Sequence, residues 1–469
     1  MHEKLSVIFL VLYTLSVVLI GLYNRGSKDS TDYFLGGRKL PAWLLAITFI
    51  ASWWGGGSAI DLVDHAHEEG LASFWIYGVP VLIAAALMYF MAEFIRNESS
   101  ISQPELFAHR YNKTSGFLLT LFILIFMILG AAVQVIVIGH FFQSFFHITY
   151  TEGALIGTAI VLFYSLFGGF KGVVLTDLLQ FVFFMIGGLA LFYYTWQQSG
   201  GLEAVTAKAL LEGNPGYVTF WDHFPDYAAY VLTFGTSWAI QANVWQRISA
   251  ARTPKSARQM ILISFLAFIP LYLMVTYTGM FTSILYDTIP SGGIVPHLVK
   301  QFKNPWVSAF IFVGLCSAIM STMDSMFNTA ALSLTNDIYD NYFNRHSEGK
   351  NNVLVGRLST FLVAACAFFI GVRIQSVLTI SWIGADFLAT GAFVPLILGI
   401  FWKRGNAAGA VACMSFGLLF SSYNLLVALG VNLPIGWTIA SVTQTSIGML
   451  CSLLIYLVVS LLFHRHTLR

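Results

Sequence analysis

The sequence predicts an all-α integral membrane protein with about thirteen transmembrane helices. Apolar residues make up 57% of the 469 residues and charged residues only 10%, whereas soluble domains contain about 45–50% and about 25%. The apolar residues are gathered in long runs that short polar stretches separate. Because a helix needs about 20 mostly apolar residues to cross a bilayer, the chain has room for about a dozen crossings and little else.

The apolar runs define the thirteen candidate helices. They cover residues 5–23, 41–61, 71–95, 116–146, 153–168, 174–196, 227–246, 259–285, 305–338, 357–372, 377–402, 406–429 and 441–463. The first run lacks a small-x-small cleavage site before Arg25, which predicts a retained helix and not a signal peptide. We expect three parts: an extra N-terminal helix with a cytoplasmic loop (1–40), a ten-helix core (41–403) and two C-terminal helices (404–469).

The basic residues predict how these helices are oriented. With the N-terminus outside, nineteen of the 24 lysines and arginines fall on the cytoplasmic side, Arg247 among them. The five that remain outside are Lys4, Lys208, Lys300, Lys303 and Arg373. Because cytoplasmic loops of membrane proteins are enriched in Lys and Arg, we expect a multi-pass protein of the plasma (inner) membrane whose C-terminus is cytoplasmic.

Two of the predicted spans carry polar or glycine-rich interruptions. The second span contains Gly55–Gly57, and the seventh contains Gly235–Ser237 with Gln241 and Asn243 close behind. Paired interruptions at corresponding positions indicate the broken helices of an inverted-repeat transporter. Spans 2–6 and 7–11 would be the two five-helix repeats, each with a broken first helix. Small residues also allow close helix packing in membranes, and that interpretation stays open.

Several classes of protein are disfavoured by the polar residues. The cysteines lie inside apolar runs without a C-x-x-C pair, which argues against a disulfide framework or a zinc site. Basic residues are spread over the loops, and we expect no nucleic-acid partner. There is no nucleophile–base pair or metal triad, so we do not expect an enzyme.

Carboxylates within the spans are few, and they are candidates for function. They are Asp61, Asp64, Asp177, Asp324 and Asp386. Each costs about 2.5–3.5 kcal/mol to insert at mid-depth, so an intramembrane acid indicates a function unless it lies near the headgroups.

The ninth span holds the richest polar cluster. Ser321, Thr322, Asp324 and Ser325 lie within about one and a half helical turns. Facing the unwound carbonyls of the second span, these oxygens would suit a small cation. Ser and Thr can instead bond back to their own helix, but an acid among them disfavours that alternative.

Five stretches resemble the sodium:solute symporter family, in the family's order. They are residues 32–38, 104–111, 168–180, 246–247 and 317–328. The resemblance implies a leucine-transporter-like inverted-repeat fold and the use of Na⁺. It also implies a sodium site made by the carbonyls of Ala51, Trp54 and Ala318 and the hydroxyls of Ser321 and Thr322. A second sodium site of some members would fall on Asp177, Ser321, Asp324 and Ser325.

The solute is suggested by the first broken helix, since residues 51–57 resemble the choline branch of the family. There, a Trp at the position of Trp53 helps to cage the ammonium group, and aromatic faces attract such cations by about 0.5–2 kcal/mol. Asp61 could add a complementary charge. Gln241 departs from the choline pattern, because that branch has a Trp there and sugar carriers have an amide.

Trp238 and Trp382 are further candidates for the lining of the solute site. The fourth span lacks the Arg that sialic-acid carriers use, and we expect no other buried cation at the centre, which disfavours anionic solutes. We expect a neutral, zwitterionic or cationic small solute, with choline- or betaine-like amines first and amino acids or sugars next. Sodium, the solute and the lipid bilayer are the expected partners, without an obligate protein partner. A sensor or an ion-leak member of the same fold is the alternative.

Overall fold

The computed structural model describes residues 2–23, 35–98, 100, 102–166, 169–222, 224–343, 350–431 and 442–463. Over these residues the chain is helical and contains no β-strand, apart from one isolated bridge between Leu40 and Ala251. The helices of the first half are α1 (His2–Tyr23), α2 (Ala42–Trp53), α3 (Leu62–Glu69), α4 (Phe74–Asn97), α5 (Gln103–Arg110), α6 (Lys113–Phe146), α7 (Tyr150–Ser165), α8 (Gly169–Ser199) and α9 (Gly201–Leu211). Those of the second half are α10 (Phe224–Ala239), α11 (Ala242–Ala250), α12 (Pro254–Leu285), α13 (Ile294–Gln301), α14 (Pro305–Leu332), α15 (Lys350–Arg373), α16 (Val377–Asp386), α17 (Val394–Phe401), α18 (Ala407–Ala428) and α19 (Val442–Leu462).

Three π-helical segments and three 3₁₀ turns join some of these helices. The π-helical segments are Gly57–Asp61, Ser333–Phe343 and Phe387–Phe393, and the 3₁₀ turns are Gly36–Arg38, Gly70–Ser73 and Pro215–Val218. A π-helical turn inside a membrane helix commonly marks a functional site. The segment Gly57–Asp61 lines both cavities described below.

The protein is an all-α integral membrane protein, as the sequence predicts. Each of the thirteen predicted runs is helical over most of its length. Ten helices among the described residues are long and apolar enough to cross a membrane. The count of thirteen crossings and the three-part division of the chain therefore stay predictions.

Polar side chains fix where several helices begin. Ser102 accepts a hydrogen bond from the backbone of Glu105 at the start of α5, and Asn112 does the same for Ser115 in α6. Thr149 and Glu152 form a reciprocal capping box at the start of α7. Such caps satisfy backbone N–H groups that the first helical turn leaves unpaired.

Both predicted helix breaks are present, but the second lies further along the chain than predicted. The first separates α2 from Gly57–Asp61 at Trp54–Gly56. The second falls at Ile240 and Gln241, between α10 and α11. Gly235 stays helical, and a Cβ there would approach Ile83 Cγ2 to 3.2 Å. This glycine therefore permits close packing, which is the alternative interpretation of glycines in membrane helices.

The interrupted helices lie in the centre of the bundle. α14 packs along α8 and also contacts α2 and α6, while α4 packs against α10 and α12. α18 and α19 pack on each other and on the Phe387–Phe393 segment. The two breaks are thus surrounded by long helices, so their unpaired backbone groups are kept away from lipid.

Candidate sodium and solute sites

The first helix break creates a set of backbone groups that are free to bind other atoms. α2 ends because Trp54 leaves the helical region, with φ −84° and ψ 62°, so the last carbonyls of α2 have no partner in the next turn. The N–H of Gly56 donates to Gln134 Oε1 at 2.8 Å. A Cβ at Gly55 would lie 2.7 Å from both Gln134 Oε1 and Thr322 Oγ1. Glycine is therefore required here by the close approach of α6 and α14.

The carbonyl of Ala51 meets the predicted hydroxyls of α14. Ser321 Oγ lies 3.2 Å from Ala51 O, and Thr322 Oγ1 lies 3.4 Å from it. Thr322 Oγ1 also lies 3.3 Å from Ala318 O, one turn earlier in α14. The structure thus brings together four of the five predicted sodium ligands, and Trp54 is the residue at which α2 ends. The oxygens of Ala51, Ala318, Ser321 and Thr322 form a buried cluster, and hard cations prefer oxygen ligands of this type.

Asp177 lies beside this cluster in a fully buried ion pair. Its carboxylate accepts hydrogen bonds from Ser321 Oγ at 2.5 Å, from Thr48 Oγ1 and from Arg247 Nη2 at 3.1 Å. Arg247 also donates through Nε to Thr48 Oγ1 at 3.2 Å and through Nη2 to Ser325 Oγ at 2.8 Å. The Arg247 side chain is 1% exposed and that of Asp177 is 0% exposed.

The placement of Arg247 corrects the prediction from sequence. The sequence predicts that this charge lies in a cytoplasmic loop and that no buried cation lies at the centre. The structure buries it, because Asp177 supplies a charge of opposite sign and the carbonyl of Asn243 accepts its fourth hydrogen bond at 2.9 Å. A buried arginine is tolerated only where such partners satisfy its donors.

The other predicted ligands of a second ion have separate partners. Asp324 accepts a hydrogen bond from Ser165 Oγ at 2.5 Å, and Ser325 accepts from Arg247. Asp324 is buried on the face of α14 that meets α7. Asp177 therefore bonds residues of α2, α11 and α14, whereas Asp324 bonds a residue of α7. The two acids have no hydrogen-bond partner in common among the described residues.

A cavity of about 80 Å³ lies directly next to the first break. We call it the central cavity. Three residues predicted to bind the solute, Trp53, Trp238 and Gln241, line it, and their role stays a prediction. Its other lining residues include Ser52, Ser58, Tyr77, Gly130, Gln134, Tyr272, Thr322, Ser381 and Gly384. Among the described residues, none that lines it carries a formal charge.

The polar groups of the central cavity are held in defined orientations by aromatic neighbours. Trp53 Nε1 donates to Gln241 Oε1, and the Trp53 ring stacks on Phe268 with centroids 5.7 Å apart. Tyr77 and Trp238 stack in parallel at 6.2 Å. The Gln241 carbonyl is therefore engaged, and its NH₂ group remains as a donor toward the cavity.

Sequence reasoning missed Gln134, Tyr77 and Tyr272. Gln134 is the one amide in the otherwise apolar middle of α6, and that isolation is the signal that could have identified it. Tyr77 and Tyr272 carried no such signal, because tyrosines are frequent at membrane interfaces. Here Tyr272 OH bonds Ser58 Oγ at 2.7 Å, beside the break.

The predicted solute residues Asp61 and Trp382 lie outside the central cavity. Both line a larger space of about 920 Å³, which we call the vestibule, on the side of the break toward α3. Asp61 accepts a hydrogen bond from Tyr77 OH at 3.0 Å and lies 3.4 Å from His65 Nε2. Asp64 also lines the vestibule and accepts from the backbone N–H of Ile294 at 2.9 Å. Both acids therefore lie in the vestibule, and the solute-binding role of Asp61 stays a prediction.

The opposite end of the bundle is closed by hydrogen bonds that mostly end on backbone carbonyls. We call it the closed side. Gln103 Nε2 donates to Ile240 O at 2.9 Å, at the second helix break. Arg96 donates to the carbonyls of Ala251 and Arg252, and Arg252 N donates to Leu40 O at 3.1 Å. The central cavity is thus adjacent to the vestibule and sealed from the other end.

Two interrupted helices, a buried oxygen cluster at the first break and a small cavity beside that break are the features of a sodium-driven secondary transporter. Residues 33–417 match the model of the sodium:solute symporter family. The chain belongs to this family, and the family and its members are transporters and not enzymes.

Relatives and a solved structure agree with this assignment. The osmoregulated proline transporter OpuE of Bacillus subtilis (strain 168) is 26% identical over 88% of this chain and 87% of its own length. The sodium/proline symporter of Haemophilus influenzae is 25% identical over 88% and 86%. A structure described as the substrate-bound outward-open state of a Na⁺-coupled sialic acid symporter matches 98% of both chains, with a TM-score of 0.82 and 18% identity. This last match shows the fold.

Proposed function

We propose that this sodium-coupled symporter imports a small zwitterionic solute, betaine- or amino-acid-like, by alternating access. The observation that carries the proposal is the uncharged lining of the central cavity. Amides, hydroxyls and aromatic rings line the central cavity, in which the solute is proposed to bind, and Asp61 and Asp64 lie in the vestibule. A solute without net charge can enter such a site without leaving a buried charge uncompensated.

We further propose that the driving sodium ion binds between the Ala51, Trp54 and Ala318 carbonyls and the hydroxyls of Ser321 and Thr322. The clustering of these oxygens at the break supports this position. Thr322 also lines the central cavity, so one side chain would contact the ion and border the solute. Binding of one would then favour binding of the other, as symport requires.

The position of Asp61 changes the order of the expected solutes. The choline interpretation relied on this carboxylate for charge complementarity, but it is bonded to Tyr77 and His65 in the vestibule. The Trp53 and Trp238 rings alone attract a cation by about 0.5–2 kcal/mol each. A zwitterion places its cationic end against the same rings and its anionic end near amide donors, so it uses both kinds of group that the cavity offers.

The names of two relatives support a zwitterion, while others are named for myo-inositol, glucose and pantothenate. The two described above are called proline transporters, and proline is a compact zwitterion. Neutral polyols rank next in the proposal, because Gln241 and Gln134 can bond hydroxyl groups. A permanently cationic choline ranks last of the three.

A solute screen tests the proposal. We expect the purified protein in sodium to be stabilised against heating by glycine betaine or L-proline, more than by choline or glucose, and not in potassium. A ligand at about 100 times its Kd stabilises the folded state by about 2.7 kcal/mol, which a melting curve resolves. Gln241→Leu should remove the effect, whereas Gln197→Leu, at an exposed site of α8, should retain it. Stabilisation by choline alone, or by sialic acid alone, would contradict the zwitterion proposal.

A second ion at Asp177, Ser321, Asp324 and Ser325 stays a prediction. In the structure Arg247 neutralises Asp177 and bonds Ser325. A second sodium ion beside the guanidinium would be repelled, so this site would require Arg247 to withdraw. We therefore propose that one sodium ion accompanies each solute.

We propose that the N-terminus and the vestibule face the outside of the plasma membrane, on the basis of the lysine and arginine distribution. An impermeant maleimide should label Glu212→Cys in intact cells and Lys255→Cys only after permeabilisation. Both positions are exposed, on opposite sides of the predicted membrane. The reverse pattern would invert the assignment.

A further inference from the structure

A fully buried carboxylate lies between the transport core and the C-terminal helices, away from the sodium cluster. Asp386 ends α16, where the helix passes into the π-helical segment Phe387–Phe393. Its Oδ1 accepts hydrogen bonds from Thr390 Oγ1 at 3.0 Å and Thr445 Oγ1 at 2.6 Å. Its Oδ2 accepts from Asn424 Nδ2 at 2.9 Å. Three helical elements therefore converge on one acid.

All three of these partners are uncharged. An ionised carboxylate within the membrane-embedded part of a protein is costly, and it normally pairs with a cation or serves a transport role. Three of the roughly four acceptor positions of this carboxylate receive hydrogen bonds, and donors of this kind favour the ionised form. The group thus has the surroundings of an anion without the positive charge that would balance it.

A second observation points to a missing ligand at the same place. Ser421 lies one turn before Asn424 on the same face of α18, and it is fully buried. Its hydroxyl lies beside the Asp386 carboxylate, but no atom of the described residues meets it with the geometry of a hydrogen bond. Buried hydroxyls are rarely left unsatisfied in native proteins, and such a group requires an explanation.

We propose that Asp386, Thr390, Ser421, Asn424 and Thr445 form a sodium-binding site separate from the one at Ser321 and Thr322. Carboxylate, hydroxyl and amide oxygens are hard ligands of the kind that alkali and alkaline-earth cations take. The single carboxylate balances a single positive charge, whereas a divalent ion would leave an excess charge in a buried site. Asn424 contributes its oxygen after rotation of the amide, whose two ends are assigned only by their hydrogen bonds.

The site is connected to the vestibule through one hydrogen bond. Trp382 Nε1 donates to Thr445 Oγ1 at 2.9 Å, and Trp382 lines the vestibule. On the same helix, Ser381 and Gly384 line the central cavity. An ion at Asp386 would hold α16 against the C-terminal helices, so sodium would influence access to the solute from outside the core.

The indole of Trp382 provides a reporter of this ion that is independent of solute transport. The emission of the wild-type protein minus that of Trp382→Phe should change with sodium at constant pH and ionic strength, and not with potassium. The change should persist in Thr322→Val, which weakens the proposed transport site. The experiment therefore distinguishes an error in the proposed site at Ser321 and Thr322 from an error in the proposed site at Asp386.

Variants of the site complete the test. Asp386→Asn should abolish the sodium response, and Ser421→Ala should raise its half-saturating concentration by roughly tenfold, as for the loss of one polar contact to an ion. Ser422→Ala, at the neighbouring position on another face of α18, should leave it unchanged. Three results would overturn the proposal: a response that follows pH and not sodium, a response that Thr322→Val removes, or a response that Ser421→Ala leaves intact. The Ser421→Ala result holds even where Asp386→Asn fails to fold.

Discussion

Replacement of Thr322 by valine is expected to raise the sodium concentration that half-saturates binding by about tenfold or more. Valine keeps the shape of threonine and removes only the oxygen that lies near the Ala51 and Ala318 carbonyls. A hydrogen bond to a charged group contributes about 1.5–3 kcal/mol, and 1.4 kcal/mol corresponds to a tenfold change in affinity. Binding of radioactive sodium to the purified protein measures the effect without knowledge of the solute.

Ser317→Ala is the matched control for this experiment. Ser317 lies one turn earlier in α14, and its hydroxyl bonds Gly314 O at 2.7 Å and Gln180 O at 3.2 Å, away from the break. Its removal should leave the sodium affinity within about twofold of the wild type, as expected for a site without contact to the ion. Equal sodium affinity in Thr322→Val and the wild type would place the ion elsewhere.

Arg247→Met is expected to cause the largest loss of stability of any substitution considered for this protein. Methionine fills a similar volume but leaves the Asp177 carboxylate buried without its positive partner. Removal of one member of a buried ion pair costs about 3–5 kcal/mol, a large part of the stability of a typical folded domain. We expect little folded protein by size-exclusion chromatography in detergent.

The double variant Arg247→Met/Asp177→Asn should recover a folded protein, because it removes both charges together. Neutral replacement of a whole buried pair is often close to neutral in stability. Arg258→Met provides the surface comparison, since Arg258 pairs with Glu93 at 3.3 Å where both side chains are exposed; such pairs contribute about 0–1 kcal/mol. A double variant no more stable than Arg247→Met would show that the guanidinium acts through its other hydrogen bonds.

Local patterns are sufficient to predict the helices and to single out the hydroxyls that the structure brings to the first break. Hydropathy reports the residues that can face lipid, and the glycines at 55–57 mark a true break because α6 and α14 approach the backbone there. Ser321 and Thr322 were recognisable because hydroxyls and an acid crowd into a short piece of an apolar helix. These features are contained within one or two turns of chain.

The features that were missed depend on partners distant in the sequence. Arg247 resembles a loop residue until Asp177, 70 positions earlier, is known to face it. The position of Asp61 in the vestibule also depends on the π-helical turn Gly57–Asp61, which the sequence does not reveal. The second break was placed at Gly235 because glycine is the commonest mark of one; Gln241 ends the helix instead, where Ile240 O accepts from Gln103.

The closed side also determines how easily the transporter changes state. Most of its bonds end on peptide carbonyls, which water can replace during opening. Each neutral bond contributes about 0.5–1.5 kcal/mol net, and each bond from the charged Arg96 about 1.5–3 kcal/mol. A ligand must differ by about 5.5 kcal/mol in its affinity for two states to shift their ratio from 1:99 to 99:1. A few such bonds therefore contribute a free-energy difference between the closed and open states that is similar in size to the differential binding energy of a ligand. Substitutions at Arg96 or Gln103, which lie far from the proposed sodium and solute sites, would change the ratio of the state with this side closed to the state with it open. Evolution could in this way alter the turnover rate without changing the residues that bind sodium or the solute.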